Sequence, residues 1–133
     1  MTLYVDTSAL MKRYVSEPDS DVAEHLMGSD PMLVTSQLTE IELRRNLTRL
    51  LEGEELVRTR RRVQSDLHNF AVVALDAVTC NEAARLAEMT LCRSLDALHL
   101  AAARRVGQET TFLTFDIRQA QAARSAGLTV IGV

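Results

Sequence analysis

"TLYVDTSALMKRYV", residues 2–15, decides the fold. Its first part is a short apolar run with aromatic and β-branched members, which reads as a buried strand. Its second part, "TSALMKRYV", reads as a short helix that stops before "SEPDS", where Pro18 disfavours helical geometry for Glu17. Asp6 stands where the strand hands over to the helix. A strand passing directly into a helix is half of a βαβ unit, and the rest of the chain repeats that alternation.

"DSDVAEHLMG" (19–28) reads as a helix opened by a capping Asp or Ser and closed by Gly28, and "PMLVTS" (31–36) as a strand with Pro31 at its edge. Gln37 to Phe70 has helical patterning over two helices, broken near "EGEE" around Gly53. "FAVVAL" (70–75) is a third strand. "TCNEAARLAEMT" (79–90) starts with Thr79 and Glu82 in capping-box spacing, and "SLDALHLAAARRVG" (94–107) starts on Ser94 as its cap and stops at Gly107. "TFLTF" (111–115), "DIRQAQAARSAG" (116–127) and "LTVIGV" (128–133) complete the pattern as strand, helix and strand. Strands alternating with helices imply a parallel sheet covered on both faces. The 133 residues are expected to form one domain, long enough for a proper core and too short for two.

In such open sheets, sites form beyond the carboxyl ends of the strands. Asp6 and Asp116 fall at two of those ends, Asp96 in a first helical turn, and Glu42 early in another helix. Each has a bland reading. Asp6 and Asp116 are where helix N-caps belong, and an acid in a first turn is favoured by the helix dipole. Glu42 competes with Glu40, two residues away and on the other side of the helix, and could pair with Arg45 or Asn46. Against this, the segment around Asp96 is almost wholly apolar, where an unpaired charge is costly. Like charges gathered in one cleft raise each other's pKa, so a fold keeps such a cluster only if something cationic neutralises it. A hard divalent ion serving a phosphate is the usual answer, which points to cleavage of a nucleic acid backbone.

Other features set bounds. The 47% hydrophobic and 25% charged content is that of an ordinary globular protein, and no apolar run reaches bilayer length, so a cytoplasmic location is expected. Cys80 and Cys92 match no zinc spacing and read as buried packing residues. The net charge of −3 weighs little against a nucleic acid partner, since local placement matters more. Arg44, Arg45 and Arg49 form one basic cluster and Arg58, Arg60, Arg61 and Arg62 another. They read either as phosphate contacts or as a solvated face pairing with Glu52, Glu54 and Glu55. His99, one turn after Asp96, borders the expected cleft and reads as a packing residue. Ser8 and Ser36 are more suited to bonding backbone or carboxylate groups than to acting as nucleophiles.

Four stretches, "YVDTSALMKRY", "TSQLTEIELRRNL", "RSLDALHLAAA" and "LTFDIRQAQAARSAGLTVI", together resemble the PIN domain. More narrowly, they resemble the VapC ribonuclease toxins of prokaryotic toxin–antitoxin pairs. The resemblance covers essentially the whole chain. It implies a three-layer α/β/α sandwich around a central, mainly parallel sheet of four to five strands. It places the acidic quartet on Asp6, Glu42, Asp96 and Asp116, settles Glu42 over Glu40, and puts supporting hydroxyls on Ser8 and Thr114. It further implies a Mg²⁺- or Mn²⁺-dependent endoribonuclease with Asp6 and Asp96 as metal ligands, cutting tRNA or rRNA. A VapB-like antitoxin and a homodimer are the implied partners. The rival classes are a phosphotransfer module, a PIN-fold nuclease with another nucleic acid substrate, and a non-catalytic interaction module. The first lacks both the lysine near the last strand and the Asp-x-Asp it would need.

Overall fold

The computed structural model describes residues 2–133. Five strands are joined in one sheet: β1 (Thr2–Val5), β2 (Leu33–Ser36), β3 (Ala71–Val73), β4 (Thr110–Thr114) and β5 (Thr129–Gly132). Every neighbouring pair is parallel, in the spatial order β3-β2-β1-β4-β5. Chain order reverses at β1, whose neighbours are β2 on one side and β4 on the other. The gap between β1 and β4 is therefore the topological switch point, the place where open parallel sheets bind ligands.

Seven helices cover the sheet among the described residues: α1 (Thr7–Tyr14), α2 (Ser20–Gly28), α3 (Gln37–Leu50), α4 (Gly53–His68), α5 (Ala77–Thr90), α6 (Ser94–Val106) and α7 (Ile117–Ser125). The alternation along β1 distributes them. Leu3 and Val5 join a core with Leu10, Met27, Leu43, Leu47 and Val63 from α1 to α4. Tyr4 points the other way, into a core with Leu86, Leu100 and Ala123 from α5, α6 and α7. This two-sided burial is the period-two geometry of a strand covered on both faces, and it makes the three-layer α/β/α sandwich. The Tyr4 and Phe112 rings stack at 5.2 Å across the β1–β4 pair. Four consecutive buried residues of α6, Leu100 to Ala103, let that helix lie close against sheet and neighbours.

Several local expectations change. Helix α5 begins two residues before Thr79, because the Asp76 carboxylate accepts the Thr79 N–H at 3.0 Å and takes the N-cap position. Thr79 instead turns its hydroxyl onto the Ala74 carbonyl at 2.8 Å. Ser94 is the first helical residue of α6 rather than its cap, a position that falls to Arg93 with no side-chain capping bond. Cys80 is exposed on the solvent side of α5 and is not a packing residue, whereas half-buried Cys92 does pack against the core that holds Leu86 and Leu100. The third strand is cut to three residues at the sheet edge, largely open to solvent.

Candidate active site

The chain reverses at the β1–β4 switch point in two tight strand-to-helix turns, and their capping chemistry builds the site. Asp6 follows β1 directly; its N–H donates to the Leu113 carbonyl of β4 at 3.1 Å. Its Oδ1 accepts the Ala9 N–H at 3.0 Å, so Asp6 is the N-cap of α1. Asp116 repeats the arrangement after β4, its Oδ1 accepting the N–H groups of Arg118 at 2.9 Å and Gln119 at 3.2 Å. The cap reading and the site reading of these two acids are therefore both true. Capping holds one carboxylate oxygen of each and points the group beyond the strand end.

Ser8 and Thr114 stitch the two turns together. Ser8 Oγ donates to Asp6 Oδ1 at 2.7 Å, accepts the Phe115 N–H at 3.0 Å and lies 3.2 Å from Thr114 Oγ1. Thr114 Oγ1 accepts the backbone N–H of Asp116 at 3.1 Å. It thus braces the turn and the Asp6 side of the cleft.

The other two acids come from helices. Glu42, in the second turn of α3, accepts from Thr7 Oγ1 at 2.7 Å and from His99 Nε2 at 2.7 Å. The alternative partners pair with each other, Arg45 donating to Asn46 Oδ1 at 2.9 Å. Asp96, in the first turn of α6, forms an ion pair with Arg93 at 3.2 Å. All four carboxylates line one cavity of about 200 Å³, together with Thr7, Ser8, His99 and Gln119. Among the described residues no three such side chains already converge at ligating distance. The acids wall a cup rather than close on a point.

The electrostatics of the cup are unequal. Asp6 is 3% exposed. Burial pushes its carboxyl above the usual range, and the opposing pull of His99 and of hydrogen bonds from Thr114, the Ala9 N–H and Ser8 does not cancel that. Burial also pushes Glu42 up, but hydrogen bonds from His99 and Thr7, with the charges of His99 and Arg45, win and hold it below its usual range. Gln119 is 2% exposed; its amide N–H reaches the Asp96 carbonyl at 3.3 Å while its Oε1 has no donor. A wall of hard oxygens, with one buried carboxylate under-compensated and a buried carbonyl oxygen unpartnered, suits a hydrated divalent cation.

Thr7 and Gln119 line the site with no role expected from the sequence, and His99 borders the cleft as expected but anchors Glu42 rather than only packing. Their signal is three-dimensional: nothing in the spacing of 99 against 42, or of 119 against 96, marks them. Arg44, Arg45 and Arg49 all lie exposed along α3. Arg45 is near enough to act on Glu42, whereas Arg44 lines a different cavity between α3 and α4, with Glu40 and Arg60. Of the second basic cluster, Arg58 pairs loosely with Glu54 at 3.8 Å on the surface.

The PIN domain family profile matches residues 3–125. Ribonuclease VapC46 of Mycobacterium tuberculosis is 35% identical over 130 residues, spanning 97% of this chain and 95% of that protein. Among solved structures, FitAcB from Neisseria gonorrhoeae superposes with a TM-score of 0.81 at 20% identity, over 98% of this chain and 96% of the other. A toxin–antitoxin complex from Klebsiella pneumoniae superposes with a TM-score of 0.74 at 15% identity, over 99% and 97%. The structural likenesses are of fold; the sequence match reaches further. The chain belongs to the PIN-domain family, in the branch of the VapC ribonucleases.

Proposed function

We propose that residues 1–133 act as one catalytic unit, a divalent-cation-dependent endoribonuclease that serves as the toxin of a toxin–antitoxin pair. The observation that carries this is the cavity walled by Asp6, Glu42, Asp96 and Asp116, which four separate elements deliver to the sheet's switch point. The ribonuclease name of the M. tuberculosis relative supports RNA as substrate, with tRNA or rRNA the proposed class.

Asp6 and Asp96 are the proposed holders of Mg²⁺, with Mn²⁺ as a substitute. Magnesium keeps several waters and takes one or two carboxylates, which matches a cup whose acids stand apart. When bound, the ion makes a water nucleophilic near neutral pH and offsets charge growing on the phosphate. The protein's own part is positional. Capping leaves Asp6 and Asp116 each one oxygen for the cleft. Ionised Glu42 accepts a hydrogen bond from the attacking water and aligns it with the scissile phosphorus. Hydrolysis in line leaves a 5′-phosphate and a 3′-hydroxyl and needs no ribose 2′-hydroxyl.

The cleft continues past Asp96 into a second cavity of about 420 Å³, lined by Arg93, Arg118, Gln121 and Ser125. Its guanidinium groups suit the phosphate next to the scissile one, and Arg44, Arg45 and Arg49 are proposed contacts for a longer strand. A small VapB-like antitoxin is the proposed partner, by analogy with the Klebsiella toxin–antitoxin complex, and a homodimer the proposed assembly. Among the described residues no helix is long and apolar enough to cross a membrane.

The deciding experiment incubates purified protein with total RNA, with Mg²⁺ and with chelator, and maps the new ends. Discrete 5′-phosphate ends that need the cation and vanish in Asp116→Asn support the reading. RNA left intact by a folded protein, with and without cation, supports a non-catalytic module instead.

A further inference from the structure

Resting on the nuclease reading of the cleft, we infer that His99 is a positioning residue: its Nε2–H holds the Glu42 carboxylate in place, and the buried Tyr4 hydroxyl holds His99. Glu42 is the one acid of the four that needs such help. Asp6 and Asp116 are fastened by backbone N–H groups at helix caps, and Asp96 rides the first turn of α6 with Arg93 alongside. Glu42 lies in the second turn of α3 on a longer side chain, and its hydrogen bonds come from the side chains of Thr7 and His99.

The bonding leaves the proton on Nε2 no freedom. His99 is 4% exposed, with Nε2 2.7 Å from Glu42 Oε1 and 3.3 Å from Thr7 Oγ1. The Thr7 hydroxyl has one proton and gives it to Glu42 at 2.7 Å. An ionised carboxylate only accepts, so Nε2 must donate. On the other side, Nδ1 lies 2.8 Å from the Tyr4 hydroxyl, which in turn lies 3.0 Å from Ser36 Oγ. Burial pushes the Tyr4 phenol far above its usual range, so it keeps its proton. The Tyr4 hydroxyl donates that proton to Ser36 Oγ, so its oxygen accepts from Nδ1, and Nε2–H stays on Glu42. His99 therefore has no lone pair facing the cleft and is no general base.

The line Ser36–Tyr4–His99–Glu42 connects β2, β1, α6 and α3. It ties the placement of a cleft carboxylate to the buried face of the sheet. A second layer of this kind orients the groups that do chemistry, and its loss costs about 10- to 100-fold in activity.

The test compares His99→Leu, His99→Gln and Tyr4→Phe on a short single-stranded RNA, beside ¹⁵N NMR of the wild-type imidazole. Folding is checked by circular dichroism. The Leu variant should lose about 10- to 100-fold in kcat, with KM changed by less than roughly threefold. Gln, which presents an N–H near the Nε2 position, should recover most of the loss. Tyr4→Phe should fall between them. In the wild type, Nε2 should resonate as a protonated, slowly exchanging nitrogen, and its signal should move in Glu42→Gln. A folded Leu variant with wild-type kcat, Gln no better than Leu, or an unprotonated Nε2 would overturn the inference. If His99→Leu does not fold, Tyr4→Phe and the NMR signature decide. A wild type that leaves RNA uncut sinks the nuclease reading itself, whereas a cutting wild type with an indifferent Leu variant sinks only this one.

Discussion

Replacing Asp6 by Asn should make the cation-free protein more stable while removing its activity. The Asp6 hydrogen bonds from Ser8 at 2.7 Å and the Ala9 N–H at 3.0 Å both end on Oδ1, an oxygen that Asn retains. Each weakens from a charge-assisted to a neutral bond, a combined loss of about 1–2 kcal/mol. Against this stands the desolvation of a carboxylate that is 3% exposed and without an ion pair, a cost of several kcal/mol per ion. The balance is a gain of about 1–2 kcal/mol, or roughly 4–8 °C in Tm for a chain of this length.

The sign of the pH dependence follows from the raised Asp6 pKa. Stability linked to such a group is fully present below the unfolded carboxylate pKa, about 4, and is lost as pH rises through the folded value. Melts in chelator should therefore show the Asn variant ahead at neutral pH and level with wild type near pH 4. Added Mg²⁺ should stabilise the wild type at neutral pH by about 1.4 kcal/mol at tenfold excess over Kd, seen as a higher Tm, and leave the variant unmoved. An Asn variant that melts well below wild type in chelator would show Asp6 to be a structural cap alone and would refute the electrostatic reasoning.

Other outcomes are as specific. Asp96→Asn should cut kcat by about 100-fold or more. Its calorimetric stability should change by less than about 1 kcal/mol, because its partner Arg93 is largely exposed. Leu91 is the one described non-glycine residue at positive φ (56°), and the residue is 87% exposed. Leu91→Gly should thus raise stability by about 1 kcal/mol in urea titration. Gly132 sits at φ 111°, and a Cβ there would come within 2.1 Å of the Thr114 carbonyl oxygen. Gly132→Ala should cost about 3 kcal/mol or more, and by pushing on Thr114 it should lower kcat in whatever fraction stays folded.

How the site became legible differs residue by residue. Asp6 and Asp116 could be found because a parallel strand's carboxyl end is marked by an apolar run giving way to a helix start. That same local chemistry made them look like plain caps, which they also are. Periodicity leaves Glu42 ambiguous against Glu40; the family resemblance favours Glu42, and its bonds to Thr7 and His99 put it on the side of α3 that meets the cleft. Asp76 and Thr79 are both good cap residues for α5, and the way the chain leaves β3 decides for Asp76.

From its sequence alone, the chain's alternation of apolar strands and amphipathic helices determined a parallel sheet covered on both faces, and with it the end of the sheet where acids would gather. Those are local and periodic properties, written in the spacing of apolar side chains. Only the tertiary structure decided how the acids are held and charged. The Tyr4–His99–Glu42 line joins positions 95 and 57 residues apart. The upward push on Asp6 exists only once the surrounding elements have excluded water from it. Desolvation and long-range hydrogen bonds belong to the packed arrangement and leave no periodic trace in the chain.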